Sequence, residues 1–348
     1  MPASHGLRKS AQSLTRRAKL RHVNREQLTI ERRRSGDRYS YYTADGRQIT
    51  DEVALRRFAA LAVPPAYEDV RFSPDERAHL QAVGRDAAGR LQYRYHADWE
   101  KVREAGKAGR LATLASVLPK LRRAVAQHLS GKEPTRNFAL AAAVELVAGS
   151  AIRPGSEEYV KKHGTRGAAT LLKSNVRVSG DDITLVFRAK GGKDVRKEFT
   201  SPRLAAALSV LRTLPGPRIF QYRDEAGTIK RITAREVNAF LREMAATYVS
   251  LKDFRTLCAS AAVLDNLARM VPAESARKRR KQVLEAVKEA AQELSNTPAV
   301  CRRSYVHETV VNAFEKGVLE RFSATLKACR SSARREQFLA QVVATASA

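Results

Sequence analysis

Five side chains in this sequence could act together on a phosphodiester: Arg153 in "AIRPGSEEY", Lys190 in "FRAKGGK", Arg255 in "LKDFRTL", Asn296 in "LSNTPAV" and Tyr305 in "RRSYVHE". Breaking a nucleic-acid strand without a metal or an attacking water needs a nucleophile on the protein, cations for the phosphorus centre and a proton donor for the departing sugar oxygen. A phenol suits the first task, because its leaving ability roughly matches a reversible exchange and stores the bond energy in a phosphotyrosine. Paired guanidiniums meet two non-bridging oxygens with a rigid fork and permanent charge. A lysine whose pKa is lowered by neighbouring arginines can protonate the leaving alkoxide, and a hairpin tip can deliver it.

The bulk composition points the same way. The 348 residues carry 64 Lys and Arg against 36 Asp and Glu, a formal charge of +28, which favours a polyanionic partner. With 43% apolar residues the chain can bury a core in each of two domains. No apolar run is long enough to span a bilayer, and the N-terminus lacks the apolar centre of a secretory signal, so a cytoplasmic protein without membrane association is expected. Cys258, Cys301 and Cys329 are far apart and unpaired in pattern, and the seven histidines show no metal-ligand spacing. The cysteines read as reduced packing residues, and the chemistry as metal-free.

The elements that must position the five fall into two groups. Residues 1–24 mix Ser, Arg and Lys without hydrophobic period and read as a flexible basic arm. Residues 25–100 read as a small β domain: alternating strands in "LTIERRR" and "YSYYTADGRQIT" joined at "SGD", a helix in "DEVALRRFAALAV", and a hairpin in "HLQAVGRDAAGRLQYRYH". The charged "ADWEKVREAGKAGR" reads as a link. Residues 101–348 read as mainly helical: "LASVLPKLRRAVAQHL", then the buried-looking "NFALAAAVELVAGSAIR" broken by Pro154 and Gly155, and later a Thr233 to Glu236 capping box and a long basic helix. Three strand-like runs interrupt them, "ATLLKSNVRVS", "DITLVFRAK" and "DVRKEFTS".

The five motifs in this order resemble the type IB DNA topoisomerases of the small poxvirus-like class, over about residues 20 to 325. The resemblance implies an α+β fold, a small N-terminal β-sheet domain followed by a larger, mainly α catalytic domain with a small three-stranded sheet. It implies that Tyr305 attacks the scissile phosphate and holds the 3′ end, that Arg153, Arg255 and Asn296 clamp the phosphate oxygens, and that Lys190 is the general acid, with Lys193 as an alternative. It further implies double-stranded DNA as partner, a monomer clamping the duplex, relaxation of supercoils of either sign, and no ATP, metal or other cofactor. Arg90, Gln92, Tyr93 and Tyr95 match the family's DNA-contacting hairpin, and Tyr159 a contact near the first arginine.

Departures are visible. Asn296 stands where many relatives carry histidine, which favours positioning over acid catalysis there, and Ser156, Glu157 and Glu158 replace lysines of the pox enzymes. His307 reads as a phosphate contact or a structural residue, turned from Tyr305 by helical spacing. Two other readings compete. A tyrosine recombinase would share the chemistry but usually has HxxR where this chain has Lys252 in "KDFR"; a non-catalytic basic DNA-binding protein would not need all five residues.

Overall fold

The computed structural model describes residues 16, 18–36, 38–327 and 332–345; most of the basic arm, Asp37 of the "SGD" turn and Cys329 lie outside the described residues. The chain divides into two compact units, residues 1–107 and 108–348.

The first unit is built on one antiparallel sheet of β1 (Ile30–Ser35), β2 (Arg38–Tyr42), β3 (Glu68–Phe72), β4 (Leu80–Arg85) and β5 (Leu91–Tyr95), in the order β2-β1-β3-β4-β5. Helix α1 (Glu52–Ala60) starts at Asp51, whose carboxylate accepts from the Ala54 amide at 2.8 Å. It buries Phe58 against Ile30, Val70, Phe72 and Ala82. A second apolar cluster joins Val23, Leu28, Ala78, Leu80 and Val83, with Leu91 and Tyr95 packed on it. The β4–β5 hairpin turns at Asp86 to Gly89, where Gly89 takes a positive φ of 69° and the Asp86 carboxylate accepts from the amides of Ala88 and Arg90.

What reads as a charged link is helix. Helix α2 (Ala97–His128) runs unbroken through "ADWEKVREAGKAGR" into the "LASVLPKL" segment, with Pro119 inside it. Ala, Glu, Lys and Arg are strong helix formers, and their propensity outweighs the two glycines. Helix α3 (Arg136–Ser150) is capped by Thr135 and is buried on nearly every side, including Phe138 to Val144. It stops because Ala151 turns left-handed at φ 52°, three residues before Pro154. Helix α4 (Glu157–His163) follows.

The second unit's main sheet has β6 (Val176–Ser179), β7 (Asp182–Ala189) and β8 (Lys193–Thr200) in order, all antiparallel. Its first strand starts late: residues 168–175 form two short 3-10 turns, the second held by Asn175, whose side-chain oxygen accepts from the Leu172 amide at 3.0 Å. After α5 (Pro202–Arg212) comes a strand pair absent from the sequence reading, β9 (Gln221–Arg223) with β10 (Ile229–Arg231). Helices then run α6 (Ala234–Ala245), α7 (Leu251–Ala268), α8 (Ala276–Glu293), α9 (Pro298–Ser304), α10 (Glu308–Glu315), α11 (Glu320–Lys327) and α12 (Ser332–Thr345). The Thr233–Glu236 capping box is present at the start of α6.

Candidate active site

The left-handed turn at Ala151 throws the chain out of α3 and places Arg153 on a loop held by backbone contacts. The Arg153 carbonyl accepts from the Ala168 amide at 2.8 Å. Gly155 has φ 83°, and a Cβ on Gly167 would lie 2.4 Å from the Arg153 carbonyl oxygen and 2.5 Å from the Gly155 nitrogen. Only glycine at both positions lets the two segments close on each other.

Arg255 comes from the first turns of α7, whose start is fixed by Asp253: its carboxylate accepts from the Ser250 amide and hydroxyl, each at 2.8 Å. Arg110 lies 3.6 Å from the other oxygen of Asp253, so Arg255 is left free of that carboxylate. Arg255 is 2% exposed. It reaches the centre of the unit, where Nη1 donates to the Ala151 carbonyl and Nη2 to the Leu294 carbonyl at 3.0 Å. Its Nε–H is buried without a partner.

Leu294 is the C-cap of α8, and Ser295 turns left-handed at φ 52°. That turn presents Asn296, whose Oδ1 accepts from Arg153 Nη2 at 2.5 Å and whose Nδ2 is buried without a partner. Thr297 and Pro298 then open α9, a short helix that delivers Tyr305 at its C-terminal cap. Tyr305 is 8% exposed, with the Arg255 guanidinium 4.9 Å and the Lys252 ammonium 5.9 Å from its ring centroid. Burial alone would push the phenol up; the charge of Arg255 and its hydrogen bonding, then Arg153 and Lys252, outweigh burial and hold it below the ordinary tyrosine value. Burial in turn pulls the Arg255 pKa down, against Tyr305, which favours its charge, and with Arg153, which opposes it.

Four of the five side chains therefore meet: Tyr305, Arg255, Arg153 and Asn296. Lys190 stands apart from them. It sits exposed at the β7–β8 tip beside Gly191 and Gly192, both at positive φ, with its ammonium 5.2 Å from the Tyr159 ring centroid. Lys193, the alternative, opens β8 and is exposed.

His307 shares no helix with Tyr305. It is the N-cap of α10, its Nδ1 accepting from the Thr309 amide at 3.1 Å, which gives it a structural role. Ser260, fully buried and missed in the sequence reading, donates to the Tyr305 carbonyl and accepts from the His307 amide, both at 3.1 Å. Lys252, a departure from HxxR in sequence, lies three residues before Arg255 and shares its helix face.

Around the other candidates, Arg90 and Gln92 both donate to one Asp86 oxygen at 2.9 Å. That bond to Arg90 is the main reason the Asp86 carboxyl falls to about 2. Tyr93 is 42% exposed, whereas Tyr95 is half-buried against Trp99 and His79. Tyr159 is 43% exposed on α4. The residues that replace the pox lysines are engaged locally: Ser156 caps α4, Glu157 pairs with Arg218 at 2.7 Å and Glu158 with Lys162 at 2.8 Å.

A family model of the catalytic core of eukaryotic DNA topoisomerase I matches residues 94–332. The chain belongs to the type IB DNA topoisomerases. A second model, the N-terminal domain of bacterial DNA topoisomerase IB, matches residues 38–86. The DNA topoisomerase 1B of Acanthamoeba polyphaga mimivirus is 29% identical over 294 residues, covering 82% of this chain and 87% of the viral one. The DNA topoisomerase I of monkeypox virus and the DNA topoisomerase 1B of vaccinia virus are each 25% identical over 249 residues, covering 70% of this chain and 75% of theirs. The α+β architecture, a five-stranded sheet followed by a mainly helical unit carrying a three-stranded one, is that of a type IB topoisomerase. Among the described residues no helix is long and apolar enough to cross a membrane.

Proposed function

We propose that Tyr305 is the nucleophile with which this type IB topoisomerase opens one strand of duplex DNA, relaxing positive and negative supercoils. The phenolic oxygen attacks phosphorus, the P–O5′ bond breaks, and a 3′-phosphotyrosyl bond forms as the phenolic proton passes to solvent. The 5′ oxygen leaves as a hydroxyl, taking its proton from Lys190. Torsion then turns the free end about the intact strand, and the 5′ hydroxyl returns its proton and displaces Tyr305. One phosphodiester is exchanged for another, so the cycle needs neither ATP nor metal.

The observation that carries this reading is a pair of orphaned donors. Buried N–H groups are nearly always satisfied, yet Arg255 Nε and Asn296 Nδ2, in the cluster around the Tyr305 phenol, have no partner. Non-bridging phosphate oxygens would satisfy both, and Arg153, tied to Asn296, would add charge. Lys190 would reach the leaving oxygen by movement of its two-glycine tip. Residues 25–100 would bind the duplex through Arg90, Gln92, Tyr93 and Tyr95, residues 101–348 would add Tyr159 and the chemistry, and one molecule would clamp the DNA. Acting on DNA, it would work in the cytoplasm at the bacterial nucleoid.

The test is relaxation of supercoiled plasmid with EDTA present and ATP absent, alongside denaturing electrophoresis for a protein–DNA adduct. The protein should relax both signs of supercoil and form the adduct; Tyr305→Phe should bind DNA and do neither. Relaxation by Tyr305→Phe would overturn the assignment.

A further inference from the structure

Three cations from separate elements converge on one four-residue corner between α8 and α9. Lys197, from β8, donates through Nζ to the Glu293 carbonyl at the last residue of α8. Arg255, from α7, donates to the next carbonyl, Leu294, at 3.0 Å. Arg153, from the loop after α3, donates to Asn296 Oδ1 at 2.5 Å. Between them Ser295 is left-handed, with its amide donating to the Gln292 carbonyl at 3.0 Å. The last carbonyls of a helix lack intrahelical donors and carry the negative end of its dipole, so cations are the natural partners there.

Two of these three cations are assigned to the phosphate; Lys197 is not. Its half-buried ammonium is surrounded by Glu293, Arg255 and the Cys258 thiol, which donates to Glu293 Oε2 at 3.7 Å. With Arg153, Arg166 and Arg255 it lines a small cavity of about 10 Å³ against the corner. Nothing places Lys197 on Tyr305 itself. It acts through the Glu293 carbonyl it holds and through its charge beside Arg255.

We propose that Lys197 is a positioning residue for strand cleavage. By pinning the Glu293 carbonyl it fixes the corner from which Leu294 orients the Arg255 fork and Asn296 aims its free Nδ2. Lys197 lies on the strand that follows the Lys190 tip, so the same contact joins the hairpin of the acid to the corner of the clamp. The proposal rests on the reading of Tyr305, Arg255 and Asn296 as the phosphate site.

The test uses single-turnover cleavage of a duplex whose short downstream strand dissociates, so that religation is blocked. Lys197→Met keeps the aliphatic stem and removes the donor, and Lys197→Arg keeps a donor. A displacement of about an ångström costs on the order of 100-fold, so Lys197→Met should cleave about 10- to 100-fold more slowly, with DNA affinity unchanged. Lys197→Arg should recover most of the rate. A 5′-bridging sulfur, whose thiolate leaves without a proton, should not rescue Lys197→Met, because the clamp and not the proton has been disturbed. Combined with Asn296→Ala, Lys197→Met should add little further loss, since the two changes disable one corner. Additive losses, rescue by sulfur, or a Lys197→Met rate within about 3-fold of the parent would overturn the proposal. A Tyr305→Phe control that still forms the adduct would instead remove the phosphate-site reading beneath it.

Discussion

Replacing Arg255 by lysine should nearly abolish cleavage while leaving a folded protein. The buried guanidinium holds the Ala151 carbonyl with one nitrogen and the Leu294 carbonyl with another, and on the proposed reading its unpartnered Nε serves the phosphate. A single ammonium cannot span both carbonyls and still meet a phosphate oxygen. One buried carbonyl left without a donor costs about 1 to 3 kcal/mol of stability. Loss of a donor aimed at developing charge costs about 2.7 to 4 kcal/mol in the transition state, or about 100- to 1,000-fold in rate. The rate therefore falls much further than stability does. Arg255→Ala strands both carbonyls but also removes a charge whose burial was itself costly, so its net stability loss is smaller than the two carbonyls alone would suggest.

The same substitution should be visible in pH dependence. Arg255 is the largest influence holding the Tyr305 phenol below its ordinary value against burial. In Arg255→Ala burial prevails, the phenol titrates higher, and the alkaline rise in cleavage rate should move to higher pH. Both effects are read by single-turnover cleavage across pH, with affinity and thermal unfolding measured on the same samples. An Arg255→Lys rate within about 3-fold of the parent, or a profile in Arg255→Ala displaced to lower pH, would refute the fork argument.

Other outcomes are expected. Lys190→Ala should cleave poorly on ordinary DNA and recover on a 5′-bridging sulfur substrate; no recovery would move the acid role, Lys193→Ala being the next variant to assay. Gly167→Ala should displace the Arg153 loop, because its Cβ would meet a carbonyl oxygen at 2.4 Å, and should lower both the unfolding midpoint and the cleavage rate. Asp86→Asn should release Arg90 and Gln92 and steepen the dependence of DNA affinity on salt by about one ion, read from binding across salt concentrations. Burial, then His22, holds His79 down at about 4, so between pH 6.5 and 4 the unfolded chain binds the extra proton and folded stability declines as pH falls. Between pH 7 and 5 that loss is about 2 kcal/mol for the first unit, and His79→Gln should flatten it in denaturant titrations.

Much of the candidate site was legible because its residue types are demanding. A phenol, two guanidiniums and an amide in set local contexts left few alternatives, and the structure gathers Tyr305, Arg255, Arg153 and Asn296 from segments far apart in sequence. What sequence could not show is who holds whom. Ser260 and Lys197 sit in ordinary helix and strand patterns, and only tertiary packing brings to them the carbonyls they hold. His307 could have been found: a histidine directly before "ETVV" is an acceptable N-cap, and spacing arguments that assumed one continuous helix hid it. The charged segment before α2's second half misled for the opposite reason, since charge and glycine suggested a link where local propensity favoured helix. The β9–β10 pair also had its signal, turn chemistry in "DEAG" between short alternating runs.

On the proposed roles, the two glycines beside Lys190 separate holding from cutting. The groups expected around phosphorus come from helix α7, the ends of α8 and α9, and a loop locked by close backbone contact, while Lys190, the proposed proton donor, sits at a two-glycine turn and rests on an aromatic ring. On that proposed division a duplex would be gripped at many positions without being opened, and the rate of nicking would follow how often that tip arrives, a property that shortening or stiffening the turn would change without touching the grip.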